Sequence, residues 1–189
     1  MLLITGILYV FLALLLVFLV LGIVVYNRFI KLQQRSKEAW ADIDVQLKRR
    51  YDLIPNLLAA VRGYASHEQR VLENVTEARA MAVNASEVKA KSKAEGALTQ
   101  SLKSLFAVVE NYPQLKSAAN FLELQKELTD TENKIQAARR FYNSNVKDYN
   151  TRLATFPDLL IAKQLHFKAM DLFEIGNSIE REAPKVKFD

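Results

Sequence analysis

Residues 2–25, LLITGILYVFLALLLVFLVLGIVV, carry no charged side chain and are dominated by Leu, Ile, Val and Phe. As a helix this run is about 36 Å long at 1.5 Å per residue, which exceeds the roughly 30 Å hydrocarbon core of a bilayer. Each large apolar residue favours insertion by about 0.3–0.6 kcal/mol, so the stretch sums to roughly 5–10 kcal/mol in favour of the membrane. The pattern predicts a transmembrane anchor over residues 1–26, with the lipid bilayer as the first partner of the chain. A cleavable signal needs a basic start, a shorter apolar core and a small-residue cleavage site. Here the start is Met1-Leu2-Leu3 and the run is followed by Tyr26-Asn27-Arg28, so retention is expected. Basic residues stay on the cytoplasmic side of a span. Arg28, Lys31, Arg35 and Lys37 all follow it and none precedes it, which predicts an extracytoplasmic N-terminus, a cytoplasmic domain and headgroup contact at the flank.

The remainder reads as helix. Five Gly and four Pro in 189 residues leave few of the turns that a β-rich fold requires, while Ala, Leu, Lys, Glu and Gln are abundant. With no Cys, disulfides, thiolate chemistry and Cys-based zinc sites are excluded. The formal charge of +5 is modest; it suits an anionic membrane face or an acidic partner, and equally a solvated helical surface. A nucleic-acid partner needs a broader basic surface and is not expected.

No Pro or Gly separates Val25 from Gln34, so the anchor is expected to run directly into the domain. Trp40, Ile43, Leu47, Tyr51, Ile54, Leu58 and Val61 recur at three- and four-residue steps and form one apolar face. Pro55 lies within it and predicts a kink near 51–55. Gly63-Tyr64 is a candidate break, and Ser66-His67-Glu68-Gln69 has the form of a capping box. The apolar stepping nevertheless continues through Ala65, Leu72, Val75 and Ala82, leaving one bent helix or two consecutive helices. Asn84-Ala85-Ser86 is a turn candidate. A helix follows over residues 87–110, ended at Asn111-Tyr112-Pro113 because the residue before Pro avoids the α region. Leu128, Ile135, Tyr142, Tyr149 and Phe156 then stand seven apart, flanked by Leu124, Ala138, Val146 and Leu153, and predict a long helix over 117–156. Sustained heptads of this kind need a partner helix. Pro157 ends it, residues 159–175 read as a short amphipathic piece, and 176–189 as a flexible polar tail. The fold class expected is all-α: an N-terminal transmembrane helix followed, over 27–175, by an elongated antiparallel four-helix bundle.

Ala39-Trp40-Ala41-Asp42-Ile43-Asp44-Val45-Gln46-Leu47-Lys48-Arg49-Arg50, followed by Asp52-Leu53-Ile54-Pro55-Asn56-Leu57, closely resembles the signature of the LemA family. Residues 63–68, Tyr112-Pro113 with Leu115-Lys116, residues 128–135, Ala138-Arg139-Arg140-Phe141-Tyr142-Asn143, Asp148-Tyr149-Asn150 and Phe156-Pro157 match as well, in the same order. The resemblance spans roughly 26–174. It implies a bacterial single-span inner-membrane protein with a helical bundle inside, and it supplies no catalytic residue. One departure is visible: the family often reads FGFKPxxFFE where this chain has Leu165-His166-Phe167-Lys168-Ala169-Met170-Asp171-Leu172-Phe173-Glu174.

No P-loop, dinucleotide turn, nucleophile elbow or H-E-x-x-H occurs. His67 with Glu68 lacks the ligand count of a transition-metal site, so no metal or cofactor is expected. The polar set Asp44, Lys48, Arg49, Arg50, Asp52, His67, Glu68, Glu132 and Arg139 has two readings. As structure, Asp44 pairs with Lys48 at i,i+4 and the arginines reach acids on the long fourth helix such as Glu132. As function, the cluster is a docking face. Asn143, Asn145 and Asn150 read as register-setting polar positions, and Trp40 as core. Leu165, Phe167, Met170 and Phe173 make a second candidate contact, which either closes one end of the bundle or meets a partner or the bilayer. The function expected is a non-enzymatic, membrane-tethered scaffold or adaptor that self-associates as a homo-oligomer or meets another membrane protein. The alternatives are a membrane enzyme with a carboxylate or metal site in the bundle, and a lipid-organising coat.

Overall fold

The computed structural model describes residues 2–65 and 67–174. Ser66, Ile175 and the polar tail expected over 176–189 lie outside the described residues. Among those described, the only regular elements are helices: α1 Leu2–Arg62, α2 Gln69–Asn84, α3 Val88–Val109, α4 Pro113–Lys116, α5 Ala119–Ala154 and α6 Asp158–Gln164. The all-α expectation is met, and the four long helices α1, α2, α3 and α5 are compatible with a four-helix bundle.

α1 joins the apolar run to the charged stretch without interruption. Pro55 lies inside it and does not stop it. The open question at Gly63 resolves as two helices. Tyr64 and Ala65 donate backbone N–H groups to Val61 O at 3.1 and 2.9 Å, closing α1 in a turn that buries Ala65. The expected capping box is replaced by a Glu68 N-cap with no side-chain cap hydrogen bond. α3 ends at Val109, ahead of Asn111-Tyr112-Pro113 as expected, and Pro113 also starts an element. Its fixed φ suits the first helical position, and it opens the single turn α4.

The described chain falls into two compact units. The first comprises residues 1–40 and 141–170. Leu3 to Val24 leave their large apolar side chains about half or more exposed. At Val25 burial begins: Val25, Phe29, Tyr149 and Ala162 form a core flanked by Leu32, Leu153, Ile161, Phe167 and Met170. Phe29 is fully buried, edge-on to Tyr149 at 5.7 Å and stacked on Phe167 at 4.9 Å. Trp40 meets Tyr142 edge-on at 5.3 Å, in agreement with a core role. The pairings Phe29–Tyr149 and Trp40–Tyr142 run in opposite chain directions, so α1 and α5 are antiparallel here.

The heptad holds through Leu128, Ile135, Tyr142 and Tyr149, all buried. It fails at Phe156, which is 79% exposed. α5 has already ended at Ala154, so the seven-residue spacing no longer maps onto one helical face.

The amphipathic piece expected over 159–175 is helical only to Gln164. His166 adopts φ 57°, the left-handed region. Its N–H donates to Lys163 O at 3.2 Å and that of Phe167 to Ala162 O at 3.0 Å, the paired bonds of a Schellman stop. His166 stands where the family pattern has Gly, the residue that enters this region without steric cost. From Phe167 to Glu174 the chain runs without regular structure, and Asn150 holds it from α5. The Asn150 Nδ2 donates to Met170 O at 2.8 Å, and Met170 N donates to Asn150 Oδ1 at 2.9 Å.

The second unit comprises residues 41–140 and 171–189, described to Glu174. Its core draws Ile43, Leu47, Ile54, Leu57 and Val61 from α1 and Leu72, Val75 and Ala82 from α2. Leu98, Leu102 and Leu105 come from α3, and Phe121, Leu128 and Ile135 from α5.

Candidate functional site

The unusual chemistry of the second unit is polar and buried. The apolar stripe of α1 steps from Leu47 by three to Arg50 and by four to Tyr51. The stripe of α3, Leu98-Leu102-Leu105-Val109, steps back by three to Glu95. Helical period therefore carries Arg50 and Glu95 inward with their apolar neighbours. Their side chains are 2% and 1% exposed, and Arg50 Nη2 lies 3.3 Å from Glu95 Oε2. Arg50 also donates to Glu132 Oε2 on α5 at 2.7 Å and to Thr99 Oγ1 on α3 at 3.1 Å. The Tyr51 hydroxyl donates to Glu95 Oε1 and lies 3.3 Å from Ala82 O at the end of α2. Arg79 Nε donates to Tyr51 O at 2.8 Å, and Lys91 Nζ stands 5.8 Å from the centre of the Tyr51 ring. One guanidinium and one phenol thus tie α1, α2, α3 and α5 together.

Burial pushes the Glu95 carboxyl above its ordinary range, although Arg50 and the Tyr51 hydroxyl both pull it down. Burial, reinforced by the hydrogen bond to Glu95, pushes the Tyr51 phenol well above its usual value. Burial lowers Arg139. The network is incompletely satisfied: Arg50 Nε, Glu95 Oε2, Arg139 Nε and Gln46 Oε1 are buried without a hydrogen-bond partner. A cavity of about 620 Å³ adjoins it, with Arg50, Lys103, Glu132 and Arg139 among its charged walls and Leu102, Phe106 and Leu128 among its apolar ones.

Three residues of the predicted polar set, Arg50, Glu132 and Arg139, line this cavity together. Arg49 faces outward, 4.0 Å from Glu127 and 3.7 Å from Asp130. Lys134, helped by Arg49, lowers the Asp130 carboxyl. Asp44, Lys48, Asp52 and His67 are exposed, and Glu68 is half-buried, 3.4 Å from the hydroxyl of Tyr112. The flank residues Arg28, Lys31, Arg35 and Lys37 are all exposed on α1. Among the described residues no group of three or more His, Asp or Glu is arranged to hold a metal ion. Sequence reasoning missed Glu95, Thr99 and Lys91; the signal available was a charged residue on the projected apolar stripe of α3.

The second candidate contact is largely used by the protein itself. In the first unit, Phe167 and Met170 are half-buried and Leu165 is exposed. In the second, Phe173 is fully buried with the Arg139 guanidinium 5.2 Å from its ring centre, and Lys89 pairs with Asp171 at 2.9 Å.

The chain is similar to magnetosome protein MamQ of Magnetospirillum gryphiswaldense, with 23% identity over 174 residues, 78% of this chain and 64% of that one. Magnetosome protein MamQ 2 of Paramagnetospirillum magneticum is 23% identical over 175 residues, 79% of this chain and 64% of its own length. Protein LemA of Metamycoplasma hominis is 26% identical over 160 residues, 82% and 71% of the two chains. The chain spans just under two thirds of the length of the magnetosome relatives it matches. The LemA family model matches residues 39–188, most of the sequence, and the chain belongs to the LemA family.

Proposed function

We propose that this protein is a single-pass inner-membrane protein whose helical domain lies in the cytoplasm and acts as an adaptor or scaffold, through contacts with another membrane protein or with copies of itself. One observation carries the reading. An 18-residue window of mean hydropathy 3.2, none of it buried, lies in the same unbroken helix that supplies the first face of a packed domain. Such a helix is stable in water only if something covers it, and a bilayer has the right thickness. The exposed basic flank supports the orientation. The names of the relatives denote no reaction, which supports a non-enzymatic role. Anchoring in one bilayer raises local concentration, so weak contacts between copies suffice for association.

Crosslinking in native membranes followed by mass spectrometry tests the adaptor reading. Specific homo- or hetero-crosslinks are expected at native expression, and a purely monomeric chain would overturn it. Protease treatment of intact spheroplasts tests the orientation. Protection of the domain is expected, whereas its digestion from outside would reverse the topology.

A further inference from the structure

We propose that the α5–α6 corner is a second membrane contact, its side chains Phe156, Leu160 and Leu165 lying in the headgroup boundary of the same bilayer that α1 spans. The inference rests on the spanning reading and adds to it. All the residues used belong to the first compact unit.

Register places the corner. Antiparallel helices advance by equal rises in opposite directions. Taken from the pair Phe29–Tyr149, the last residue of α5, Ala154, falls level with Val24; taken from Trp40–Tyr142, it falls level with Arg28. The apolar run ends at Val25, and the first charged residue is Arg28. The corner therefore sits at the height where the span leaves the hydrocarbon.

Packing of α6 gives the same height independently. Ala162 shares a core with Val25, and the ring of Phe167 lies 6.2 Å from that of Tyr26. At this level the domain exposes large apolar groups: Phe156 at 79%, Leu160 at 56%, Leu165 at 46% and Tyr26 at 45%. Arg28 and Lys31 follow the run on α1, and Lys163 and Lys168 flank Leu165 in sequence; all four are exposed. The acid of α6, Asp158, is buried and paired with Arg152 at 3.1 Å. Exposed apolar side chains on segments that also carry exposed cations, held beside the exit of a span, match the chemistry of an acyl–headgroup boundary with anionic lipid. The bilayer is the occupant because α1 already delivers it to this height.

The chain has no Cys, so single-Cys variants of the full chain take a nitroxide label with no background substitution. Four exposed positions serve: Phe156→Cys and Leu160→Cys at the corner, Leu12→Cys within the apolar run, and Phe141→Cys on α5. Phe141 precedes Tyr142 and so lies near the level of Trp40, about 22 Å along the helix from Val25. In vesicles of phosphatidylcholine and phosphatidylglycerol, collision rates with oxygen, which partitions into lipid, are compared with those of a water-soluble nickel chelate. The oxygen-to-nickel ratio is expected to be highest at L12C, several-fold above F141C at both F156C and L160C, and lowest at F141C. A bilayer-like L12C with F156C and L160C indistinguishable from F141C would overturn this inference and leave the span intact. An aqueous L12C would overturn the spanning reading itself. Broadening of the F156C spectrum that disappears on dilution with unlabelled protein would put a second copy of the chain at the corner and overturn the bilayer assignment.

Discussion

Removing Arg50 tests the buried network most directly. Arg50→Leu keeps an apolar stem on the α1 stripe and leaves Glu95, 1% exposed, without its ion-pair partner. Breaking a buried pair by deleting one partner costs about 3–5 kcal/mol, because the remaining charge is uncompensated. For a domain of this size that lowers Tm by about 6–20 °C, at roughly 2–4 °C per kcal/mol. Glu132 is 32% exposed and can turn to water, so it adds less. Arg49→Ala is the control: its partners and its own side chain are more than two-fifths exposed, and such pairs contribute about 0–1 kcal/mol. The Glu95 carboxyl sits above the 4.5 of a free glutamate, so its contribution to stability is fully present below 4.5 and is lost as pH rises through the folded value. Arg50→Leu raises that folded value further, so its deficit should be largest at neutral pH and shrink on acidification. Adding Glu95→Gln to Arg50→Leu removes the stranded charge and should recover most of the loss. The assay is thermal unfolding of the full chain in detergent micelles, followed by circular dichroism from neutral to mildly acidic pH. An Arg50→Leu deficit no larger than that of Arg49→Ala, or no recovery in the double variant, would refute the reasoning.

Four further variants test the same structure. Tyr51→Phe removes the donor to Glu95 and should cost about 1–3 kcal/mol in the same unfolding assay. The Tyr51 phenol is held above its ordinary 10.0, so the native chain should lose stability as pH rises past 10, and Tyr51→Phe should flatten that loss. Phe29→Ala empties a fully buried site between Tyr149 and Phe167 and should cost about 3–5 kcal/mol, read as a fall in Tm. Asn150→Ala removes both hydrogen bonds to Met170 and should speed amide exchange and proteolysis over 165–170 while sparing α5. His166→Gly relieves a left-handed L-residue and should raise stability by about 1 kcal/mol, read as a rise in Tm.

Where periodicity is apolar, the sequence was legible. The uncharged run over 2–25, the stripe of α1 and the heptad from Leu128 to Tyr149 each announced a helix and its buried side. Chain ends of helices were harder. Pro113 has two meanings, stop and start, and both hold: the stop was read and the single turn that it opens was not. Phe156 continued the arithmetic of the heptad after the helix itself had ended. The left-handed position at residue 166 was concealed because the residue there is His and not Gly; the departure from the family pattern was visible, but its backbone meaning was not. The site was half legible. Arg50 and Glu132 were paired from charge and helix order, but Glu95 was missed because a stripe traced through apolar residues alone steps over the charged one it buries. Asn150 was singled out as polar and internal, yet its partner is the backbone of Met170, which no side-chain pattern encodes.

The absence of any joint in α1 has a mechanical consequence. A rod of hydrogen-bonded backbone with no glycine or proline between Val25 and Gln34 carries torque. On the spanning reading proposed above, thickening or thinning of the surrounding lipid changes the tilt of the span, and the core built on Phe29 leans and turns with it.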